Sequence, residues 1–199
     1  MSEIVFKTYD KIALNEREAF RYMSCKFPDE QMKQLFEECL SECAGALSYK
    51  ACWREFPLLF CGDEINLGFA RTKSRALFTN LKGCGKIVLF AATVGHEMDR
   101  LIKKQSLLSQ SKSVCLQAIG SERVESLCDT LNAELKEQYK KQGFLLKPRF
   151  SPGYGDLPLS LQREIMPALD CAKLLGISLG ENLMMSPSKS VTAIIGVYK

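Results

Sequence analysis

This sequence of 199 residues contains a single histidine, His96, and that shortage restricts its chemistry most. His96 directly precedes a helix predicted to begin at Glu97, so we assign it to the turn that opens the helix. No Ser/His or Cys/His arrangement is then left to assemble. The sequence also lacks a glycine-rich dinucleotide fingerprint after a strand and a phosphate loop. It therefore offers no catalytic triad and no paired acid and base.

Long apolar runs are also missing. The longest, Ile87–Val94 and Thr192–Val197, are far shorter than the ~20 residues that cross a bilayer. The N-terminus carries scattered charges (Glu3, Lys7 and Asp10) in place of a basic segment followed by an apolar one. We therefore expect a cytoplasmic protein without a membrane span. With 46% hydrophobic residues, the chain can fill one sizeable core, which predicts a single domain over 1–199.

Cysteine is the one potentially reactive residue type that is abundant, with nine in the sequence. Their number is odd and they are scattered through apolar patterns, which argues against a disulfide framework. Cys39 and Cys43, followed by Cys52 and Cys61, match neither zinc nor iron–sulfur spacings. We interpret the cysteines as reduced, metal-free and mostly buried thiols.

The net charge of +4 is modest. Its densest basic cluster (Lys136, Lys140, Lys141, Lys147 and Arg149) lacks interleaved aromatics and a helix-turn-helix pattern, so we expect no nucleic-acid partner. Two interpretations of the cluster remain open. It is either the solvated face of a helix or a docking patch for an acidic partner such as a flavodoxin-type electron donor.

The spacing of apolar residues alternates between helical and strand periods. Helices are expected at Ala13–Met23, Pro28–Leu47, Thr72–Leu81, Glu97–Lys104, Ser109–Gln142, Pro158–Met166 and Ala168–Leu175. Strands are expected at Ala51–Leu59, Ile65–Ala70, Lys86–Val94, Ile177–Met184 and Val191–Val197. This order predicts an α+β fold with a mixed or mainly antiparallel sheet.

Several junctions carry further predictions. Lys86–Val94 is apolar on both faces and should be central in its sheet. A turn at Gly62 should join two strands as a hairpin, and Pro187 should lie in the turn between the last two strands. Pro167 should separate two helical pieces. Gly120, inside the long helix, costs roughly 1 kcal/mol relative to alanine, which indicates close packing there against either a neighbouring backbone or a ligand.

The most informative segment runs from Arg149 to Tyr154. Pro152 presets φ and Gly153 can adopt a positive φ, so the pair predicts a turn whose amides are exposed to a ligand. Arg149 offers a planar donor fork that suits a carboxylate. A second segment, 185–191 (Met-Ser-Pro-Ser-Lys-Ser-Val), either lines the same groove or simply connects two strands.

These residues resemble the activation domain of cobalamin-dependent methionine synthase, in which the pattern reads Arg-x-x-x-Gly-Tyr. The matching positions here are Arg149, Gly153 and Tyr154. The resemblance extends from about Leu77 to the C-terminus and includes the helix over 119–127 and the closing strand over 190–197. Residues 1–70 align with no motif of the family and form a divergent helical and hairpin part. The family's N-terminal aspartate contact therefore has no counterpart assigned here.

The resemblance implies a site for S-adenosylmethionine. By alignment, Glu125 would hold the ligand and Arg149 its carboxylate, with Ser151 and Gly153 contributing backbone groups and Tyr154 lying near the transferred methyl group. Taken alone, Glu125 fits a solvent-facing position and Tyr154 a packed lid. The chain ends at Lys199 without the tail that supplies an aromatic contact in the family, so weaker adenine contacts are expected.

The resemblance further implies reductive remethylation of a corrinoid. In that reaction the protein orients the methyl donor and the corrinoid and supplies no nucleophile. The sequence has no Asp-x-His-x-x-Gly loop, so the cobalamin would be carried by a partner. The implied role is a stand-alone activation subunit for a methionine synthase that lacks this domain. Two alternatives are a corrinoid-protein chaperone or sensor, and a reactivation module for another corrinoid methyltransferase.

Overall fold

In the computed structural model, which describes residues 2–199, the chain forms ten strands and seven helices. The strands are β1 (Val5–Tyr9), β2 (Tyr49–Pro57), β3 (Leu59–Cys61), β4 (Glu64–Asn66), β5 (Arg71–Thr72), β6 (Lys86–Thr93), β7 (Leu145–Leu146), β8 (Ser178–Leu179), β9 (Met185–Ser186) and β10 (Ser190–Tyr198). The helices are α1 (Glu16–Tyr22), α2 (Glu30–Cys43), α3 (Arg75–Leu81), α4 (His96–Leu108), α5 (Gln110–Lys141), α6 (Gln162–Ala168) and α7 (Cys171–Leu175). The predicted α+β class is confirmed.

A five-stranded antiparallel sheet in the order β1-β2-β6-β10-β7 lies at the centre. As predicted, β6 is the middle strand, and seven of its eight residues are buried. Its side chains alternate between two cores: Val88 and Phe90 face one, while Ile87 and Leu89 face the other. That burial on both faces explains the unbroken apolar run in the sequence.

Helix α5 covers one face of the sheet, where Leu127, Leu131 and Leu135 pack against Phe90 and its neighbours. Helices α3, α6 and α7 cover the opposite face. A third core joins α1, α2, α4 and the first half of α5. Each fully buried leucine contributes roughly 2 kcal/mol. The long helix α5 therefore holds the helical layer and the sheet together.

Short polar side chains begin four of the helices. Asn15, Asp29, Ser74 and Ser109 each accept a hydrogen bond from a backbone N–H in the first turn of the following helix. These caps satisfy donors that the helix itself leaves free. They explain why the helical predictions that began near these residues were accurate to within a few positions.

Three junction predictions are wrong. The strand predicted at Ala51–Leu59 is β2, and it belongs to the large sheet. The hairpin at Gly62 instead joins β3 and β4, which form a small sheet with β5. The apolar sequence continues without interruption from β2 into β3, so it gave no sign that the chain changes sheets at the buried Leu58.

The second wrong junction concerns Pro167, which lies inside α6 on the exposed side, where water can satisfy the carbonyl left without a donor. The chain breaks instead at Asp170, which has a φ of 50°.

The third concerns the predicted strand Ile177–Met184. Only Ser178–Leu179 is extended, and it pairs with β9 rather than with the closing strand. A turn closes this short hairpin because Asn182 Oδ1 accepts the Met184 N–H at 3.1 Å.

The structure also adds β1, which the sequence pattern did not predict.

All nine cysteines are free thiols in the structure. Seven of them are buried, Cys25 is partly buried and Cys61 is exposed. Among residues 2–199, no cluster of three or more Cys, His, Asp or Glu side chains suits a metal ion. None of the helices described is both long enough and apolar enough to cross a membrane.

Candidate functional site

The candidate site lies along the outward face of α5. Ser121, Glu125 and Asp129 follow one another at four-residue spacing, so their side chains emerge from the same face of the helix. Ser121 and Glu125 are partly exposed and Asp129 is exposed, while Leu127 and Cys128 are buried. The helix therefore presents a polar stripe with two carboxylates.

Arg149 reaches this stripe from the segment that follows β7. Its backbone position is fixed by its neighbours: Phe150 and Ile194 of β10 exchange two hydrogen bonds of 2.8 Å, and Asn80 of α3 donates to the Pro148 carbonyl at 3.2 Å. From there Nη2 lies 2.6 Å from Glu125 Oε2 and 3.2 Å from Asp129 Oδ1. The structure thus brings the two charged candidates, Glu125 and Arg149, into one salt bridge.

The Arg149 guanidinium is not fully satisfied by these contacts. Its Nη1 is buried and has no hydrogen-bond partner in the described part of the chain. Cys128 lies beside it: burial raises the pKa of this thiol to about 12, and the Arg149 charge acts in the opposite direction. A buried N–H without an acceptor costs about 1–3 kcal/mol, so this arrangement marks a place where an additional acceptor would be favourable.

The Ser151–Tyr154 turn differs from the prediction in one respect. Gly153 has the expected positive φ of 90°. Its N–H, however, donates to the Leu157 carbonyl at 2.9 Å, and the Tyr154 N–H donates to the Ser151 carbonyl at 3.2 Å. The prediction of free amides was therefore wrong, because the loop folds back on itself and uses them. The Tyr154 side chain is 70% exposed and the Ser151 side chain is partly buried.

Asp156 anchors this loop to α3, and sequence reasoning missed it. Its carboxylate accepts from the Ser74 hydroxyl, from the Arg75 N–H at 2.7 Å and from the Ala76 N–H at 3.2 Å. These hydrogen bonds, led by that from Ser74, hold the pKa of Asp156 below its usual value. The capped helix lies some eighty residues earlier in the chain. No local pattern around Asp156 could have revealed the partner.

Helix α1 supplies a second residue that the sequence did not indicate, Tyr22. Burial raises the pKa of its phenol, and the negative charge of Glu125 and the nearby Tyr154 raise it further. Tyr22 therefore lies near Glu125 and Tyr154. It lies in the part of the chain with no recognisable motif.

Helix α1 is held in place by a buried pair on α5. Glu122 Oε1 accepts from the Asn15 N–H at 2.9 Å, and Arg123 donates to the Ile12 and Ala13 carbonyls at 2.9 and 2.8 Å. Glu122 and Arg123 also bond to each other. This network fixes the chain just before α1.

The Pro187–Ser190 segment lies at the N-terminal end of the stripe. Lys189 Nζ donates to Ser121 Oγ at 3.0 Å, and its stem crosses Gly120. A Cβ at Gly120 would lie 3.1 Å from Lys189 Cγ and 3.2 Å from Met98 Cε. The close packing predicted at this glycine is confirmed, but the groups packed against it are the Lys189 and Met98 side chains rather than a neighbouring backbone.

Comparisons with known proteins were made for sequence and for structure. No protein-family model and no curated protein matches the sequence. The structure is similar to a crystal structure of the MetH reactivation domain bound to AdoHcy, with a TM-score of 0.71 over 98% of this chain and 78% of that chain. The two sequences are 18% identical. This chain therefore has the fold of the MetH reactivation domain.

Proposed function

We propose that this chain binds S-adenosylmethionine in the groove between α5 and the Arg149–Tyr154 loop. The observation that carries the proposal is the 2.6 Å salt bridge between Glu125 and Arg149. It joins the two charges that the motif and the helix separately suggested for the ligand. They meet on a fold that is also found in a domain crystallised with AdoHcy.

The free donors and acceptors at this salt bridge suit the amino-acid end of such a ligand. Glu125 uses only Oε2 toward Arg149, and both side chains keep some exposed surface. A ligand carboxylate can approach the exposed part of the guanidinium, and a ligand ammonium can donate to Glu125. Glu125 is 40% exposed and Arg149 is 26% exposed, so the pair is open to solvent on one side.

We place the exposed Tyr154 at the other end of the site. Tyr22 of α1 is also exposed, and it lies close enough to Glu125 for the carboxylate charge to raise its pKa. When bound, S-adenosylmethionine supplies an activated methyl group. The protein's own contribution is to orient the ligand and to exclude water from one side of it, which requires no nucleophile in the chain.

We further propose that the chain acts as a separate activation subunit on cobalamin held by a methionine synthase that lacks this domain. The exposed Tyr154 supports a ligand presented outward, toward a partner. Other corrinoid methyltransferases are partners of the same chemical kind. A chaperone or sensor role would use the same ligand site without methyl transfer.

A flavodoxin-type electron donor remains a proposed partner for the basic end of α5. Lys136, Lys140 and Lys141 are exposed there. Lys140 is fifteen residues from Glu125, which at a rise of 1.5 Å per residue is roughly 22 Å along the helix. A donor bound at these lysines would therefore leave the ligand groove free for the corrinoid protein.

The proposal is tested in two steps. Calorimetric titration of the full chain with S-adenosylmethionine and with AdoHcy measures binding, and Glu125→Gln is compared with Glu137→Gln, an exposed change further along α5. We expect the first variant to weaken binding and the second to leave it unchanged. No binding by the wild-type chain would contradict the ligand assignment.

The second step follows the methyl group. S-adenosylmethionine labelled in its methyl group is mixed with a reductant and with a cobalamin-dependent methionine synthase from which the reactivation domain has been deleted. We expect label in methylcobalamin only when this chain is added. Ligand binding without label transfer to any corrinoid protein would replace the activation role with the sensor or chaperone role.

A further inference from the structure

Lys189 is a partly buried cation without a matching anion. Its Nζ reaches one acceptor in the described residues, the neutral Ser121 hydroxyl, and forms no salt bridge within residues 2–199. Burial lowers the pKa of this ammonium group, while the charge of Asp99 acts in the opposite direction. An ammonium group has three donors, so two remain for another partner.

The nearest carboxylate is already occupied. Asp99 accepts the Ser188 N–H at 2.6 Å and the Ser188 hydroxyl at 2.8 Å, one with each oxygen. The Lys189 backbone is equally fixed, because its carbonyl accepts the Val94 N–H at 3.1 Å. Lys189 is therefore held at Ser121 by its backbone and by packing on Gly120, without a direct salt bridge in residues 2–199.

Lys189 lies next to the candidate site on α5. Ser121 is one helical turn before Glu125 on the same face of α5, which is about 6 Å along the axis. The Lys189 ammonium and the Arg149 guanidinium approach this face from different segments and end at neighbouring positions on it. A carboxylate placed between them can accept from both.

The charges along the stripe support this arrangement. Glu125 and Asp129 both lie within salt-bridge distance of Arg149, so two carboxylates face one guanidinium. That group alone has an excess of negative charge and is a poor host for a further carboxylate. With Lys189 included, a second cation lies on the same helix face, and Asp99 is the carboxylate near it. The face then offers groups of both signs to a zwitterion.

We infer that Lys189 is a second ligand-binding cation of the groove and, together with Arg149, holds the carboxylate of a bound α-amino acid nucleoside. The ammonium group of that ligand then faces Glu125 and Asp129. This inference rests on the proposed function and adds a specific requirement: the ligand must carry a free carboxylate.

The test removes the charge from the protein and the carboxylate from the ligand in turn. Lys189→Met keeps the stem that packs on Gly120, and exposed Lys103→Met is the matched control. Each protein is titrated with AdoHcy, with decarboxylated S-adenosylmethionine and with methylthioadenosine, which lacks the amino-acid part. Thermal unfolding of each variant establishes that it is folded, and Lys189→Arg provides a charge-retaining second variant.

We expect Lys189→Met to weaken AdoHcy binding about tenfold or more, and to change binding of the two ligands without a carboxylate less than about twofold. Lys189→Arg should retain most of the AdoHcy affinity. Equal losses for all three ligands, or no loss for any, would overturn the assignment of Lys189 while leaving the proposed function in place. Failure of the wild-type chain to bind any of the three would overturn both.

Discussion

Two Glu–Arg pairs use neighbouring positions of α5 and differ in almost every physical respect. Glu122 and Arg123 are 1% and 4% exposed, and their charged atoms are hydrogen-bonded to each other and to the segment before α1. Glu125 and Arg149 are open to solvent on one side, and one guanidinium nitrogen has no partner. The first pair is complete within the chain, whereas the second is not.

This difference suits the buried pair to holding the fold together and the partly exposed pair to binding a ligand. A buried pair whose donors and acceptors are all used holds two segments together and has nothing left for a ligand. A partly exposed pair contributes little to stability, and its exposed atoms can meet a ligand at low cost. Two glutamates only three positions apart on α5 thus have different expected roles because their arginine partners differ, and mutations can separate them.

The largest effect should come from breaking the buried pair. Arg123→Ala leaves the Glu122 charge buried and unpaired and removes the hydrogen bonds to Ile12 and Ala13, so we expect a loss of about 3–5 kcal/mol in the free energy of unfolding. Urea unfolding measures it. The exposed Arg17→Ala on α1 is the control and should lie within about 0.5 kcal/mol of wild type. A loss below ~1 kcal/mol for Arg123→Ala would remove the distinction between the two pairs.

The second effect should appear in binding rather than in stability. Arg149→Ala breaks a partly exposed pair and also removes an unsatisfied donor, so we expect less than about 1 kcal/mol of change in unfolding free energy. Binding of S-adenosylmethionine should weaken by about 2 kcal/mol, because a charge-assisted contact is lost. Arg149→Lys should restore it only in part, since the planar donor fork is missing. Calorimetry measures S-adenosylmethionine binding by the wild type and the two variants. An Arg149→Ala affinity equal to that of the wild type would exclude Arg149 from the site.

A smaller effect on affinity is expected at the open end of the groove. Tyr154→Phe removes a hydroxyl that is exposed and outside the Glu125–Arg149 pair, so affinity for S-adenosylmethionine should change by less than about tenfold, roughly 1.4 kcal/mol. The rate of methyl transfer to the corrinoid partner should nevertheless change, because Tyr154 is proposed to lie near the methyl group. An affinity loss as large as that of Arg149→Ala would place Tyr154 at the amino-acid end instead.

The smallest effect concerns the loop that carries Arg149. The pKa of Asp156 is lowered in the folded state, so its stabilising contribution is present above the unfolded pKa of about 3.9 and is lost as pH falls through the folded value. Asp156→Asn should melt below wild type at pH 7, and the two melting temperatures should converge as pH falls below about 4. Melting curves between pH 7 and pH 3 measure this. A constant difference over that range would show that the Asp156 charge plays no part.

Sequence reasoning was most accurate where the pattern is local. The long helix was predicted to within a few residues, because its buried positions recur at helical spacing, and β6 was predicted to be central because both of its faces are apolar. Gly120 was correctly predicted to be a point of close packing. In each case the residues that determine the structure are neighbours in the sequence.

It failed where partners are distant. Strand β1 has exposed residues and a lysine, and it is extended because β2 offers a free edge to pair with. Asp156 and Tyr22 acquire their surroundings only when α3, α5 and the Arg149–Tyr154 loop come together. The roles of Glu125, Arg149, Ser151, Gly153 and Tyr154 in binding stay predictions, as does the reduced, metal-free state of the cysteines.

Strand β10 fixes the distance between the two segments that carry Lys189 and Arg149. Lys189 immediately precedes this strand, and Ile194 within it holds Phe150 next to Arg149. Five residues at about 3.3 Å each separate the two attachment points by roughly 16 Å. Because β10 is hydrogen-bonded to β6 along almost its whole length, this spacing cannot stretch. A single residue inserted into β10 would therefore shift Lys189 relative to Arg149, and the two cations could no longer meet the same carboxylate.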